Sequence, residues 1–280
     1  RQPLNGIIGL LKIAEKHIDD RELVLENFRK MQVAADYLLS LINDILQMSK
    51  IEDGNVPLTQ EIINFEKLSQ DVLTIIEQRA KDRGIQMQFR AKKEGLRYPF
   101  IYGSPVHLRQ IFLNIYGNCI KYNRIGGKII TVLDYTEVVD GITTYEWTIT
   151  DTGIGMSEEY LPHIFEEFSR EHTTTENKVA GTGLGLPIVK SMIELMGGSI
   201  QVESTQGVGT KFTVDISFDM ASESDVYRDQ ISEQPDVLEK LEGKRILLAE
   251  DNDLNAEIAI ELLAEQKIIT DRAEDGAECL

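Results

Sequence analysis

Asp151-Thr152-Gly153-Ile154-Gly155-Met156, with Gly181-Thr182-Gly183-Leu184-Gly185-Leu186 downstream of it, decides how this chain is read. Asp151 follows a predicted strand at residues 143–150. A carboxylate in that place can accept a hydrogen bond from an exocyclic amine such as that of adenine, worth about 1.5–3 kcal/mol when charge-assisted. Gly153 and Gly155 permit a backbone path close to a planar ring. Taken alone, the same residues also read as a plain Asp-x-Gly turn. The second cluster opens a predicted helix with Pro187 in its first turn, and a helix N-terminus presents free N–H groups to an anion. It does not follow the dinucleotide fingerprint, because no strand leads straight into it. Residues 169–180 lead into it instead, polar and without pattern. They read as a mobile lid anchored upstream by Phe165 and Phe168, two residues that also suit an ordinary core.

Upstream lies a predicted helix, residues 105–123, in which Asn114, Asn118 and Lys121 are spaced to share one face. Asn is a poor helix former, so two on one face need a reason. Amide oxygens suit a magnesium–phosphate group and the ammonium suits phosphate charge, although a solvated polar face would look the same. The three segments together describe a nucleotide pocket: carboxylate for the base, glycine backbone for the phosphates, side-chain oxygens for a metal.

The formal net charge is −18. So acidic a chain is a poor partner for nucleic acid or an anionic membrane surface, and an anionic ligand must be held locally by N–H groups, a lysine and a metal. Cys119 and Cys279 are the two cysteines, too few for a disulfide framework or a zinc site, which favours a reducing cytosol. No apolar run is long enough to span a bilayer. Arg1 opens directly into a helical pattern, so the chain reads as an excerpt whose missing part could hold a membrane anchor.

Residues 3–18 and 21–52 carry apolar side chains at three-to-four spacing, the second through Phe28, Met31, Ala35, Leu38, Ile42, Ile45 and Met48. Two helices with a short connection pack antiparallel. One hairpin cannot bury both apolar faces, so two copies are expected to form a four-helix bundle, a homodimer through residues 1–54; packing on the rest of its own chain is the alternative. Residues 57–218 alternate strands (58–64, 85–90, 97–102, 128–139, 143–150, 199–204, 210–218) with helices (65–83, 105–123, 186–196), the pattern of a two-layer α/β sandwich. Residues 219–242 have acidic linker composition. Residues 243–280 read as strand, helix, strand, the start of a doubly wound parallel sheet.

Asn114-x-x-x-Asn118-x-x-Lys121-Tyr122 resembles the asparagine box of sensor histidine kinases. The stretches starting at Asp151 and Gly181, with Gly207-x-Gly209-Thr210, resemble their three glycine boxes, and Phe165-x-x-Phe168 their phenylalanine box. All five occur in the family's order. Arg1-Gln2-Pro3-Leu4-Asn5 resembles the tail of the histidine box, and Glu250-Asp251-Asn252 the acidic start of a receiver domain. The resemblance implies a hybrid histidine kinase: a dimerisation hairpin, an ATP-binding domain of the GHKL (Bergerat) type, and the first β-α-β of a receiver. By position, Asn118 would hold Mg²⁺ and Asn114 would sit by the reacting γ-phosphate. Lys121 and Tyr122 would contact phosphates or ribose, and Asp151 would read adenine. Gly153 and Gly155 would let the backbone pass close to the base, and Met156 and Thr210 would belong to the same nucleotide site; Gly181, Thr182, Gly183, Leu184, Gly185 and Leu186 would wrap the phosphates. Glu250 and Asp251 would bind a receiver's own Mg²⁺, and that receiver would accept the phosphoryl group.

The chain departs from the family in places. The phospho-acceptor histidine would precede Arg1, and His17, His107, His163 and His172 stand in other contexts. A receiver's acceptor aspartate would lie beyond Leu280. Gln2 stands where the family often has Thr or Asn for dephosphorylating the partner. Two rivals are an ATPase of the same wider fold, which would place a glutamate at position 114 to activate water, and a dimeric nucleotide-sensing module without kinase activity.

Overall fold

The computed structural model describes residues 2–54, 58–92, 99–136, 138–171, 182–222, 225–226 and 243–279. Contacts divide the chain into two units, Arg1–Val226 and Tyr227–Leu280.

The first unit opens with an antiparallel hairpin of α1 (Gln2–Lys16) and α2 (Arg21–Glu52). The polar break between them has a local cause. Asp20 caps α2, its side chain accepting from Leu23 N at 3.1 Å, which satisfies one of the N–H groups a helix start leaves free. Ala14, Val24, Asn27 and Met31 are buried along the seam. Asn27 is out of character there: its Nδ2 is buried with no hydrogen-bond partner among the described residues. Leu11, Phe28, Leu39, Ile42 and Ile45 stay exposed on the hairpin. Near the C-terminal end of α2, Met48 and Ile51 pack against the core of the α/β layers that follow.

Those layers contain a five-stranded sheet in the order β2-β4-β5-β7-β6: β2 (Gln86–Ala91), β4 (Lys128–Tyr135), β5 (Ile142–Asp151), β7 (Gly209–Asp219) and β6 (Ser199–Thr205). β2 runs parallel to β4 and the other pairs are antiparallel. A separate pair joins β1 (Glu61–Asn64) to β3 (Phe100–Gly103). Three helices cover one face of the sheet: α3 (Phe65–Asp82), α4 (Pro105–Lys121) and α5 (Gly185–Leu195). The β4–β5 hairpin turns at Asp140-Gly141, both at positive φ (53° and 81°), the left-handed pair that a tight turn between twisted strands requires.

The strands alternate, and the alternation sets the core. Thr143, Tyr145, Trp147 and Ile149 of β5 face the helices with Thr210, Phe212, Val214, Ile216 and Phe218 of β7. Phe65 stacks on Tyr145 with ring centroids 4.8 Å apart, and Phe112 meets Trp147 edge-on at 5.0 Å. Each large apolar side chain fully removed from water contributes about 1.5–3 kcal/mol, so this aromatic centre holds sheet and helices together.

Several predicted boundaries shift by a few residues. β1 starts at Glu61 rather than 58 and β4 stops at Tyr135 before the turn, while the predicted start of β3 at 97 lies outside the described residues. Most of the predicted lid (172–180) and linker (227–242) lies outside the described residues, as do Gly181 and His172. In the second unit, β8 (Arg245–Ala249) pairs in parallel with β9 (Ile269–Ala273), and α6 (Asp253–Glu265) connects them. Asn252 caps α6, accepting from Asn255 N at 3.1 Å. Among the described residues no helix is long and apolar enough to cross a membrane.

Candidate functional site

Two inward-facing rows end side by side. Asp151 is the last inward residue of β5 and Thr210 the first of β7, so strand periodicity turns both toward the helix layer. Asp151 is 6% exposed. Its Oδ1 accepts from the backbone N–H of Gly153 at 2.8 Å and of Thr210 at 3.3 Å, and the Cys119 thiol donates to the same carboxylate. Burial pushes the Asp151 carboxyl above the usual aspartate range, and the three donors oppose that rise. The Cys119 thiol is itself driven well above the ordinary thiol range by burial and then by the Asp151 charge.

The glycines are there because backbone occupies the space a side chain would need. A Cβ on Gly153 would lie 2.5 Å from Tyr122 O. One on Gly155, at φ +64°, would lie 2.0 Å from Thr205 O. The third glycine turn presses equally close, since a Cβ on Gly209 would meet Asp151 O at 2.1 Å. Hydrogen bonds stitch these segments to the end of α4. Ile154 N donates to Tyr122 O at 3.0 Å and Gly207 N to Ile154 O at 2.6 Å. Met156 N donates to Ser204 Oγ at 2.9 Å, and Ser204 Oγ lies 2.9 Å from Thr210 Oγ1.

α4 carries a different chemistry on each face. Ile111, Ile115, Cys119 and Ile120 are buried against the core. Asn114, Gly117, Asn118 and Lys121 lie half-buried on the other side, and a Cβ on Gly117 would meet nothing within 4 Å. Among the described residues neither Asn114 nor Asn118 has its side-chain amide in a hydrogen bond. Burial lowers the Lys121 pKa, and repulsion from Arg170 and Arg83 lowers it further. An anion bound among these cations would relieve that repulsion. Tyr122 caps the helix, with Lys121 Nζ 4.8 Å from its ring centroid.

The second glycine cluster leads into α5. The first N–H groups of a helix have no partner within it, and Pro187, which has no N–H, fills a first-turn position. Leu184 is buried and fixes the entry, while Thr182 Oγ1 accepts from Leu184 N at 3.1 Å. Leu186 packs partly into the core. Gly183, at φ +75°, lies against the backbone of Phe168. Helix α2 reaches this neighbourhood too: Asp44 hydrogen-bonds Thr182, and Gln47 and Gln110 exchange amide hydrogen bonds, that from Gln47 Nε2 measuring 2.8 Å.

The structure thus brings together Asn114, Asn118, Lys121 and Tyr122 on or capping α4, with Asp151, Gly153, Gly155, Met156 and Thr210 beside that helix's end. Thr182, Gly183, Leu184, Gly185 and Leu186 form the α5 entry. Glu250 and Asp251 belong to the second unit. There Glu250 Oε1 accepts from Asn252 N at 3.2 Å and Asn255 Nδ2 at 3.1 Å. Among the described residues no group of three or more His, Cys, Asp or Glu could hold a metal ion. Sequence reasoning missed Cys119, Ser204 and Arg124. Helical period alone would have turned Cys119 inward, next to Asn118; the other two carried no motif signal.

A family model described as histidine kinase-, DNA gyrase B- and HSP90-like ATPase matches residues 103–220, and the His Kinase A (phospho-acceptor) domain matches residues 1–54. Among curated relatives, the sensor histidine kinase GacS of Pseudomonas protegens is 33% identical over 91% of this chain and 26% of its own length. The autoinducer 2 sensor kinase/phosphatase LuxQ of Vibrio harveyi is 29% identical over 100% of this chain and 32% of its own. The chain therefore spans about a quarter to a third of the length of these relatives. Among solved structures, full-length ShkA in complex with AMPPNP aligns at TM-score 0.60 and 25% identity, over 99% of this chain and 54% of that one. The Acinetobacter baumannii histidine kinase AdeS shares the fold at TM-score 0.57 and 22% identity, over 79% of this chain and 97% of that one.

Proposed function

Because this chain belongs to the sensor histidine kinases, we propose that residues 57–218 bind ATP and present its γ-phosphoryl group to a histidine of the helical bundle, from which it passes to a receiver aspartate. The observation that carries this reading is the half-buried face of α4. Two amides without a hydrogen bond among the described residues and a cation-crowded lysine sit there, beside a buried carboxylate at the end of β5.

Asp151 reads the adenine amine. Lys121 and Tyr122 hold phosphates or ribose, and the N–H groups entering α5 hold the phosphate chain. Asn114 lies by the reacting phosphate. The hard amide oxygen of Asn118 fits Mg²⁺, which would supply charge neutralisation to the phosphates. Transfer of this kind depends on positioning and electrostatics rather than on covalent chemistry by the protein. The exposed apolar residues of the hairpin support a dimer through residues 1–54. The parallel β8-α6-β9 unit supports a receiver start, with Glu250 and Asp251 at the metal end. The site works in the cytosol, where ATP is available.

An amide at position 114 also favours kinase over ATPase, since it cannot take a proton from water as a glutamate could. Two measurements test the proposal. This chain should bind ATP in a Mg²⁺-dependent manner with negligible steady-state phosphate release. A chain extended upstream of Arg1 should gain acid-labile label from γ-labelled ATP. Rapid phosphate release would favour the ATPase, and binding without label on the extended chain would favour a nucleotide-sensing module.

A further inference from the structure

We propose that Arg124 is a positioning residue for base recognition: it braces the two loops that hold the Asp151 carboxylate. This deepens the reading of Asp151 as the acceptor for the base and rests on it.

Arg124 follows the end of α4. Its Nε donates to Thr152 O at 2.7 Å and its Nη2 to Gly207 O at 3.4 Å. One guanidinium therefore spans the loop after β5 and the turn between β6 and β7. The residues around it serve the same junction. Asn123 Oδ1 accepts from Arg124 N at 3.0 Å and from Thr152 Oγ1 at 3.4 Å. Thr152 Oγ1 in turn accepts from Lys128 N at 2.9 Å.

The braced turn matters because of what it carries. It leads into Thr210, whose N–H is one of the two backbone donors on Asp151 Oδ1, and Gly209 lies against the Asp151 carbonyl. The other donor, Gly153 N, directly follows Thr152, whose carbonyl Arg124 grips. Both backbone donors that aim the carboxylate thus sit within a few residues of an oxygen held by Arg124. The planar guanidinium offers its donors in fixed directions, so it sets the separation of the two carbonyls. A lysine, with a single nitrogen, keeps the charge without the fork. Released from the brace, the turn and Thr210 N can drift, and the carboxylate loses its angle to an amine on the base.

The test compares ATP with inosine 5′-triphosphate, which has a keto oxygen in place of the exocyclic amine. Calorimetric titration with Mg²⁺ on the full chain gives both dissociation constants for wild type, Arg124→Ala and Arg124→Lys. Arg124→Ala should weaken ATP about 5- to 10-fold and leave inosine triphosphate nearly unchanged, so the preference contracts by about the same factor. Arg124→Lys should fall between. Equal weakening of both nucleotides, as for a cation acting on phosphates at a distance, overturns the proposal, and so does an unchanged preference. Were Arg124→Ala to unfold, the same ratio measured on Arg124→Lys decides. A wild type without preference removes the base reading itself, and this inference with it, before any substitution is made.

Discussion

Replacing Asp151 by Asn separates what the carboxylate does for ATP from what it does for the fold. Asp151 Oδ1 holds Gly153 N at 2.8 Å and Thr210 N at 3.3 Å, and an asparagine retains an oxygen for both. Its other polar atom becomes an NH₂ group, a donor where the adenine amine needs an acceptor. The loss is one charge-assisted hydrogen bond, about 1.5–3 kcal/mol, or about 10- to 150-fold in affinity. Stability should move the other way. Burial raises the folded-state pKa above 3.8, so the folded chain binds this proton more readily than the unfolded chain does. The stabilisation from that proton is complete below 3.8 and is lost as pH rises through the folded value. At neutral pH wild type therefore carries the cost of a buried charge that Asp151→Asn does not. The variant should melt at or above wild type at neutral pH, and its advantage should shrink as the pH becomes acid. Calorimetric titration with Mg²⁺ and ATP, and thermal melts from acid to neutral pH, check both halves. ATP bound within about threefold of wild type would refute the base-reading role. A large drop in melting temperature at neutral pH would refute the account of the buried charge.

Three further outcomes follow from the geometry. Gly155→Ala should abolish measurable ATP binding, because its Cβ would lie 2.0 Å from Thr205 O at a φ of +64°; titration at high ATP checks this, and near-normal affinity would contradict it. Asn27→Leu should stabilise the hairpin by about 1–3 kcal/mol, since it removes a buried Nδ2 that has no partner among the described residues; denaturant unfolding reads the shift, and destabilisation would show the amide to be engaged after all. At mildly alkaline pH, iodoacetamide should label Cys279 and spare Cys119, which is 1% exposed with its thiol held protonated by burial; mass spectrometry of the native chain checks this, and early alkylation of Cys119 would mean that the pocket opens.

The fold was legible wherever burial alternates or repeats. The strict in–out pattern of β5 and β7 and the three-to-four spacing of α4 are imposed by a one-sided core, and periodicity reads such a core directly. Boundaries were less legible. Residues 58–60 have strand composition, yet β1 starts at Glu61, because its partner β3 offers only four residues and the ladder ends with them. The two-stranded pair itself was hidden, since nothing in a strand's own sequence names its neighbour. Its antiparallel register, Ile63 opposite Ile101 with both side chains buried, comes from packing between distant segments.

In the site the same division holds at the scale of atoms. Asn114, Asn118 and Lys121 could be put on one face from spacing alone, because α4 is regular. The glycines pointed to close approach, but which strand approaches them is set by tertiary contact: Gly155 against Thr205, Gly209 against Asp151. The groups that aim Asp151 were invisible for a related reason. Two of its donors are backbone N–H groups, which no sequence distinguishes, and the third is a cysteine that read only as a count of thiols. Arg124 shows the limit most clearly. As a residue it is one more surface cation after a helix. It becomes specific only when the turn at Gly207, brought in by strands far along the chain, lies within reach of the same guanidinium as Thr152. Motif residues of such a pocket can therefore be read from the chain, whereas the braces that give them direction require the fold.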